Sequence, residues 1–366
     1  MAQGLELLSV KRVNNIMLTL RDVRELPGQL IWLNRTPVVS AEDAEIMARF
    51  EGNVLAADII GDGQKAVVRS TGKYTTESYK IPNFKHGEAF DQAKINLLNR
   101  IAGGFASGTD MGLFTNWKQR SIDGLLLGVR QRMNAVLTAC ALDSYTYNRL
   151  GIQISGATWG MPSDLKVTMS PLMANTSGAR FVDAVLALKS LAKEKYGEVY
   201  DRITMPTADF RQWIATDDFK NNSQLYYQLA FPANTFPSQN IEIMKSLGEK
   251  ILGMDIEFDD SRYWEQNSAG AISSSPNHPL GKVILSSKSD DNTENRMDFA
   301  NGIVTESIVS SLAEQGGMIG SFTQGEFGPV SYATTEHNPP EITFWGVARG
   351  WPRKKRLSST AVITTR

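Results

Sequence analysis

Residues Trp117–Tyr147, WKQRSIDGLLLGVRQRMNAVLTACALDSYTY, carry the strongest periodic signal in the chain. Ile122, Leu125, Leu126, Val129, Met133, Val136, Leu137 and Cys140 recur at three- and four-residue intervals, the spacing of one helix face. At 1.5 Å per residue the run predicts a helix roughly 45 Å long, well beyond the usual three or four turns. Gly124 and Gly128 lie inside it, and each weakens a helix by about 1 kcal/mol relative to Ala. Packing against other parts of the fold must offset that cost. Cys140 falls on the apolar stripe and reads as a buried, inert thiol rather than a nucleophile.

Downstream, Ile152–Ser155 and Leu165–Met169 read as strands. Ala179–Tyr196 reads as a helix, with Val182, Val185, Leu186 and Leu191 on one side and Gly197 ending it. The strand Arg202–Met205 is broken by Pro206, and a second helix holds Phe210, Trp213 and Ile214. A third helix, Ile241–Leu252, passes through Gly253 into the strand Asp255–Phe258. This alternation predicts a small α/β module. Gln266–Asn277 and Ser286–Asn295 are polar and read as surface loops around the strand Lys282–Leu285. Glu341–Arg349 and Arg356–Thr365 read as two strands separated by Gly350-Trp351-Pro352.

Upstream, Val13, Ile16, Met17 and Leu20 have helical spacing, with Lys11, Arg12, Arg21 and Arg24 around them and Pro27-Gly28 as the stop. From Glu45 to Pro82 the pattern becomes strand-like: Asn53–Ile60, Lys65–Thr71 and Tyr74–Ile81, with turns at Gly61-Asp62-Gly63 and Thr71-Gly72-Lys73. Lys65, Arg69, Lys73, Lys80 and Lys85 dominate a stretch with few large aliphatics, so it reads as a hairpin projecting from the body. An isolated hairpin is barely stable in water, and either it moves or another chain orders it.

Across all 366 residues, 38 basic side chains face 39 acidic ones, for a net charge of −1. That balance excludes nucleic-acid binding through overall charge. With 42% apolar residues the chain is globular, and its length permits two or three domain-sized units. A single cysteine excludes an intrachain disulfide and a Cys-based zinc site. The sequence shows no apolar run of membrane-spanning length and no secretory signal at Met1–Glu6, which places it in a reducing cytoplasm.

The usual catalytic groupings are missing. His86, His278 and His337 are far apart, outside any metal-ligand spacing, and read as solvated loop residues. Gly61-Asp62-Gly63-Gln64-Lys65-Ala66 mimics a dinucleotide fingerprint, but Val67-Val68-Arg69 continues it as a strand where a helix is required. Asp217-Asp218 and Asp259-Asp260 read as solvated loop carboxylates. Arg353-Lys354-Lys355-Arg356 reads either as a phosphate-facing patch or as a charged turn between strands. No catalytic, cofactor or metal residue is assigned.

The order of elements resembles the lambda-type phage major capsid protein (capsid protein E) family, with its Hong Kong 97-type fold. Leu30-Ile31-Trp32-Leu33-Asn34-Arg35 leading to Arg49-Phe50-Glu51-Gly52 resembles the approach to that family's extended loop, and Ile81-Pro82-Asn83-Phe84-Lys85-His86 its return. Ile203-Thr204-Met205-Pro206 with Phe210 and Trp213, and Leu252-Gly253-Met254-Asp255-Ile256-Glu257-Phe258, are similar to its axial-domain steps. Ala348-Arg349-Gly350-Trp351-Pro352 and Ser358–Thr365 resemble its closing strands. The segment 259–300 is longer and more polar than the family pattern.

The resemblance implies an α+β fold with an N-terminal arm (1–45), an extended-loop hairpin (46–90), a peripheral domain (91–200) with a spine helix at 117–147, an axial domain (201–310) and return strands (311–366). It implies a subunit that assembles with itself into pentamers and hexamers of an icosahedral head around double-stranded DNA, without sequence-specific binding. Scaffold, portal and decoration proteins are the further partners, the virion is the location after assembly in the host bacterial cytoplasm, and neither cofactor nor membrane is involved. Lys65, Arg69, Lys73, Tyr74 and Lys80 would contact the adjacent subunit, and Lys11, Arg12, Arg21 and Arg24 would face inward. The alternatives are an encapsulin-type nanocompartment shell and an α/β enzyme whose site is dispersed in sequence.

Overall fold

The computed structural model describes residues 30–41, 44–51, 73–80, 82–90, 108–149, 152–230, 240–266, 271–287, 296–302, 318–320, 330–337 and 340–366. In chain order the elements are α1 (Ile31–Arg35), β1 (Val38–Ala41), β2 (Ala44–Glu51), β3 (Lys73–Lys80), β4 (Asn83–Phe90), α2 (Gly108–Leu142), β5 (Tyr145–Arg149), β6 (Ile152–Ala157) and β7 (Lys166–Thr168). They continue with α3 (Phe181–Tyr196), β8 (Arg202–Met205), α4 (Thr207–Ile214), α5 (Asp217–Ala230), α6 (Ile241–Leu252), β9 (Asp255–Phe258), β10 (Arg262–Gln266), β11 (Ile272–Pro276) and β12 (Lys282–Ser286). The last are β13 (Met297–Gly302), β14 (Met318–Gly320), β15 (Val330–His337), β16 (Pro340–Lys354) and β17 (Thr360–Thr364). The chain divides into two units. The first comprises Met1–Glu45, Ser78–Asn134 and Phe299–Trp351, and the second Ile46–Glu77, Ala135–Asp298 and Pro352–Arg366.

The first unit is built on a six-stranded sheet in the order β1-β13-β16-β15-β14, with β4 also pairing to β16. β1 runs parallel to β13, with Val38 opposite Phe299. β4 and β15 both pair antiparallel to β16, so Trp345 stands opposite Gly87 on one edge and Tyr332 on the other. α2 approaches this sheet at Gly346, where a Cβ would lie 3.1 Å from the backbone oxygen of Leu125. A Cβ on Gly128 would come within 3.3 Å of the His86 ring, so this helical glycine has a packing reason. Nothing in the structure explains Gly124. Leu30, Ile31, Trp32, Leu33, Leu125, Val129 and Met133 are buried. The start of α1 has no cap of its own; Asn134 Oδ1 accepts the backbone N–H groups of Trp32 and Leu33, both at 3.1 Å.

The second unit is organised by a five-stranded sheet in the order β7-β17-β12-β8-β9. β12 is antiparallel to both its neighbours, while the outer pairs β7/β17 and β8/β9 are parallel. Parallel strands need a crossover, and α4, α5 and α6 lie between β8 and β9 in sequence. The core joins Phe181, Val185 and Leu188 of α3, Phe210 and Trp213 of α4, Phe219 of α5 and Met244 and Leu247 of α6 to Ile203, Val283, Leu285 and Ile363 of the sheet. Trp213 is its hub: its ring lies 5.0 Å from Phe181, 5.8 Å from Phe210 and 4.8 Å from Phe219, in edge-to-face contacts. α3 and α6 stop at Gly197 and Gly253, whose φ values of 65° and 58° are left-handed positions that suit glycine.

The expected helices and strands from Ala179 to Phe258 are present, with Ile241–Leu252 and Asp255–Phe258 matching residue for residue. The long helix is also present, but it begins at Gly108 and ends at Leu142, so Tyr145–Tyr147 are strand rather than helix. The stop is made by Asp143, at φ 58°. This buried residue accepts the Trp159 N–H at 2.6 Å and the Lys166 ammonium at 2.7 Å. From Met133 to Ala141 the helix is buried on every side instead of presenting one stripe. Cys140 is buried, as expected. Gly350-Trp351-Pro352 does not separate two strands: β16 continues through it to Lys354. Ile272–Pro276, expected as loop, is β11, and Asp217-Asp218 opens α5 instead of lying in a loop. The strands expected at Asn53–Ile60 and Lys65–Thr71 fall outside the described residues, as does the helix around Val13–Leu20.

Candidate assembly surface

Of the residues expected to act, Lys11, Arg12, Arg21, Arg24, Lys65 and Arg69 lie outside the described residues. Lys73, Tyr74 and Lys80 belong to β3, which pairs with β2 in a separate two-stranded sheet. The next segment, 83–90, belongs to the six-stranded sheet through its register with β16.

The basic run 353–356 is neither a phosphate patch nor a solvated turn. Arg353 pairs with the buried carboxylate of Asp298, and Lys355 reaches the same group at 3.4 Å. Arg356 Nη1 pairs with Glu198 Oε1 at 3.1 Å, and Arg296 Nε lies 3.3 Å from Glu198 Oε2. The Lys354 ammonium is buried and donates to Thr360 Oγ1 at 2.8 Å. Buried carboxylates need such partners, because an unpaired charge away from water is costly. Nearby, burial raises the proton affinity of the Tyr200 hydroxyl well above its ordinary value, and it donates to the Ser358 carbonyl at 2.6 Å.

One member of each acidic pair is structural, while Asp217 and Asp260 are exposed, as expected. Asp218 Oδ2 accepts the Val182 N–H at 3.1 Å, capping α3, and the Trp213 indole N–H at 3.3 Å. Asp164 takes the Lys195 ammonium at 2.5 Å and the Tyr196 hydroxyl at 2.7 Å, and the Lys195 hydrogen bond holds its carboxyl below the ordinary range. Asp259 and His278, expected in solvent, are both buried. Among the described residues no three His, Cys, Asp or Glu side chains converge as a metal site. Nor is any described helix long and apolar enough to cross a membrane. A shallow cleft in the second unit, lined by Asp201, Ser246, Glu249, Lys250, Gly253, Met254 and Asp255, places no histidine or cysteine beside its serine.

What the second unit does display is apolar surface on a bare hairpin. Among the described residues β10 and β11 pair only with each other, in register Trp264↔Ser274 and Gln266↔Ile272. Trp264 is 66% exposed and Ile272 69%. They are diagonal neighbours on one face, the arrangement that lets large side chains touch. Arg262 is fastened on that face, its Nε donating to Ser274 Oγ at 3.1 Å. This hairpin lies in the segment noted as long and polar. Its strand signal was the run Arg262-Tyr263-Trp264, aromatic residues favoured in strands.

Two solved structures are similar to this chain over nearly its whole length. One is a phage-related protein from Bordetella bronchiseptica RB50, at TM-score 0.52 and 13% identity, with 94% of each chain covered. The other is a prophage protein of Escherichia coli CFT073, provisionally named a capsid protein, at TM-score 0.51 and 13% identity. There the match covers 94% of this chain and 99% of the other. The chain has a capsid-like α+β fold. No family model and no curated protein matches the sequence. The capsid-like likeness spans both units, so it covers the six-stranded and the five-stranded sheet together.

Proposed function

We propose that this chain is the major subunit of a phage shell, assembling with itself into pentamers and hexamers of an icosahedral head around double-stranded DNA. The observation that carries the reading is the end-to-end similarity to a prophage protein provisionally named a capsid protein, at 94% and 99% coverage. The distribution of charge supports it. The strongly charged groups met inside the second unit, Glu198, Asp298 and Asp209, are paired within the unit. The exposed Trp264 and Ile272 of the β10–β11 hairpin are apolar, suited to contact with another surface.

In this reading β2 and β3, with the segment between them, form the arm laid over the adjacent subunit through Lys65, Arg69, Lys73, Tyr74 and Lys80. Trp264 and Ile272 make a second contact with a neighbouring copy. The basic residues Lys11, Arg12, Arg21 and Arg24 face the interior, toward scaffold or genome. Each contact can be weak, because a closed shell joins many of them. Negative-stain microscopy and sedimentation of the overexpressed chain test the assignment. Closed shells or five- and six-fold capsomers are expected, and a monomer that persists at high concentration would end it. Deleting Gly61–Lys80 should leave a folded subunit that does not close into shells.

A further inference from the structure

The β10–β11 hairpin leaves the second unit through a buried polar corner, with Asp259 before β10 and Asn277-His278 after β11. Asp259 Oδ1 accepts the Ser261 N–H at 3.1 Å and its hydroxyl at 2.5 Å. The Ser261 hydroxyl thus gives its proton to Asp259, and its oxygen accepts the Asn277 amide Nδ2 at 2.8 Å. That contact fixes the amide, with its Oδ1 turned the other way. His278 Nε2 lies 2.7 Å from the Lys282 carbonyl, an acceptor, so Nε2 carries the proton and the neutral ring keeps a lone pair at Nδ1.

The atoms left over are all acceptors. His278 Nδ1, Asp259 Oδ2 and Asn277 Oδ1 are buried and receive no hydrogen bond. Nδ1 and Oδ2 lie 4.0 Å apart, on side chains that are both wholly buried. Among the described residues Asp259 has no lysine or arginine partner. The cations nearby are engaged elsewhere, Arg366 with Asp209 at 2.9 Å and the Lys282 ammonium with Thr364 Oγ1 at 2.7 Å. A buried carboxylate without a counter-charge is costly, and a cation held by these lone pairs would satisfy it.

We infer that His278 Nδ1, Asp259 Oδ2 and Asn277 Oδ1 bind a divalent transition-metal ion, zinc by ligand type, at the base of the β10–β11 hairpin. Imidazole nitrogen with carboxylate and amide oxygen suits zinc and its neighbours, whereas magnesium and calcium take oxygen alone. Two ligands of a tetrahedral zinc ion stand about 3.4 Å apart, given bonds of about 2.0–2.2 Å, so Nδ1 and Oδ2 would close by about 0.6 Å onto the ion. The surroundings match what a ligand set requires. A metal-bound histidine donates its other N–H to a carbonyl or carboxylate, and a bound carboxylate is hydrogen-bonded in turn. His278 Nε2 and Asp259 Oδ1 are held in that way. Ser261 is the positioning residue, since one hydroxyl orients both the carboxylate and the amide. The ion would tie the two ends of the hairpin at one point, whether or not the chain forms a shell.

The full chain, unfolded in urea and refolded with EDTA or with Zn2+, tests the site, because ligands so deeply buried take up an ion as the chain folds. Native mass spectrometry should show one zinc per chain, and the unfolding midpoint should rise with Zn2+ but not with Mg2+. Hydrogen exchange in peptides spanning 259–279 should slow about ten-fold with zinc, while α3 changes little. Asp259→Asn keeps the Ser261 contacts through Oδ1 and offers an amide N–H to Nδ1, so it should fold in EDTA yet take up no zinc. Ser261→Ala should weaken zinc binding about 10–100-fold. His86 and His337 remain in both variants, so zinc held by them would survive the substitutions. An unaltered chain that takes up no zinc, or uptake undiminished in Asp259→Asn, would overturn the site.

Discussion

Arg356 Nη1 donates to Glu198 Oε1 at 3.1 Å, across 158 positions of sequence. Glu198 is wholly buried, whereas the arginine is about a third exposed, so the two partners are not equivalent. Removing Arg356 leaves a buried carboxylate with Arg296 alone; removing Glu198 leaves cations that can turn toward water. Arg356→Ala is expected to cost about 3 kcal/mol and Glu198→Gln less, measured by urea denaturation. Equal losses would mean that the pair acts only through packing.

Asn134 presents the same asymmetry with neutral groups. Its Oδ1 is the acceptor for two buried N–H groups of α1. Asn134→Leu fills similar space but strands both, and should destabilise the fold by about 2–4 kcal/mol. Asn134→Asp keeps the acceptor, and should retain more of the thermal stability than Asn134→Leu does.

Asp218 joins a helix cap to the indole of Trp213. Asp218→Ala is expected to cost about 1–2 kcal/mol. Trp213→Ala removes the hub of four packed aromatic rings and should cost about 3–5 kcal/mol in the same denaturation experiment.

Trp264 offers the opposite case. At 66% exposure it contributes little inside the subunit. Trp264→Ser should therefore leave the unfolding midpoint of the isolated subunit unchanged, within about 0.5 kcal/mol. The proposed assembly should suffer: sedimentation at a fixed concentration should show fewer large particles. A lowered unfolding midpoint with normal assembly would place Trp264 in the fold instead.

The pH dependence has a definite sign. His278 holds its proton less tightly when folded than the ordinary histidine value of about 6.5 in the unfolded chain. The unfolded state therefore binds more protons between the lowered value and about 6.5, and the His278 contribution is complete above that window. It is lost as pH falls through the window. The unfolding midpoint should drop on acidification, and His278→Gln should remove this part of the slope.

The α/β stretch from 179 to 258 was legible because local rules decide it. Gly197 and Gly253 mark helix ends, and Val185, Phe210 and Trp213 keep helical spacing. The basic run 353–356 was not, because its meaning depends on Asp298 and Glu198, which only the fold brings near. His278 was misread for the same reason: its surroundings in sequence are polar, yet Asp209, Asp259 and the Lys282 carbonyl close around it. β10 and β11 were missed because serines fill β11, and its pairing with Tyr263 and Trp264 is visible only across the turn. The prediction for helix α2 overran the helix at Tyr145–Tyr147, where the left-handed Asp143 outweighs the apolar spacing.

Strand β17 sits between β7 and β12, in the middle of its sheet rather than at an edge. Until Thr360–Thr364 have emerged from the ribosome, β7 has no neighbour and β12 has one side bare. Products of interrupted translation thus carry a split sheet that proteases can recognise. Placing inside the sheet a strand made after both its neighbours delays competence until synthesis has passed it, a form of quality control for any protein whose defective copies would poison a larger structure.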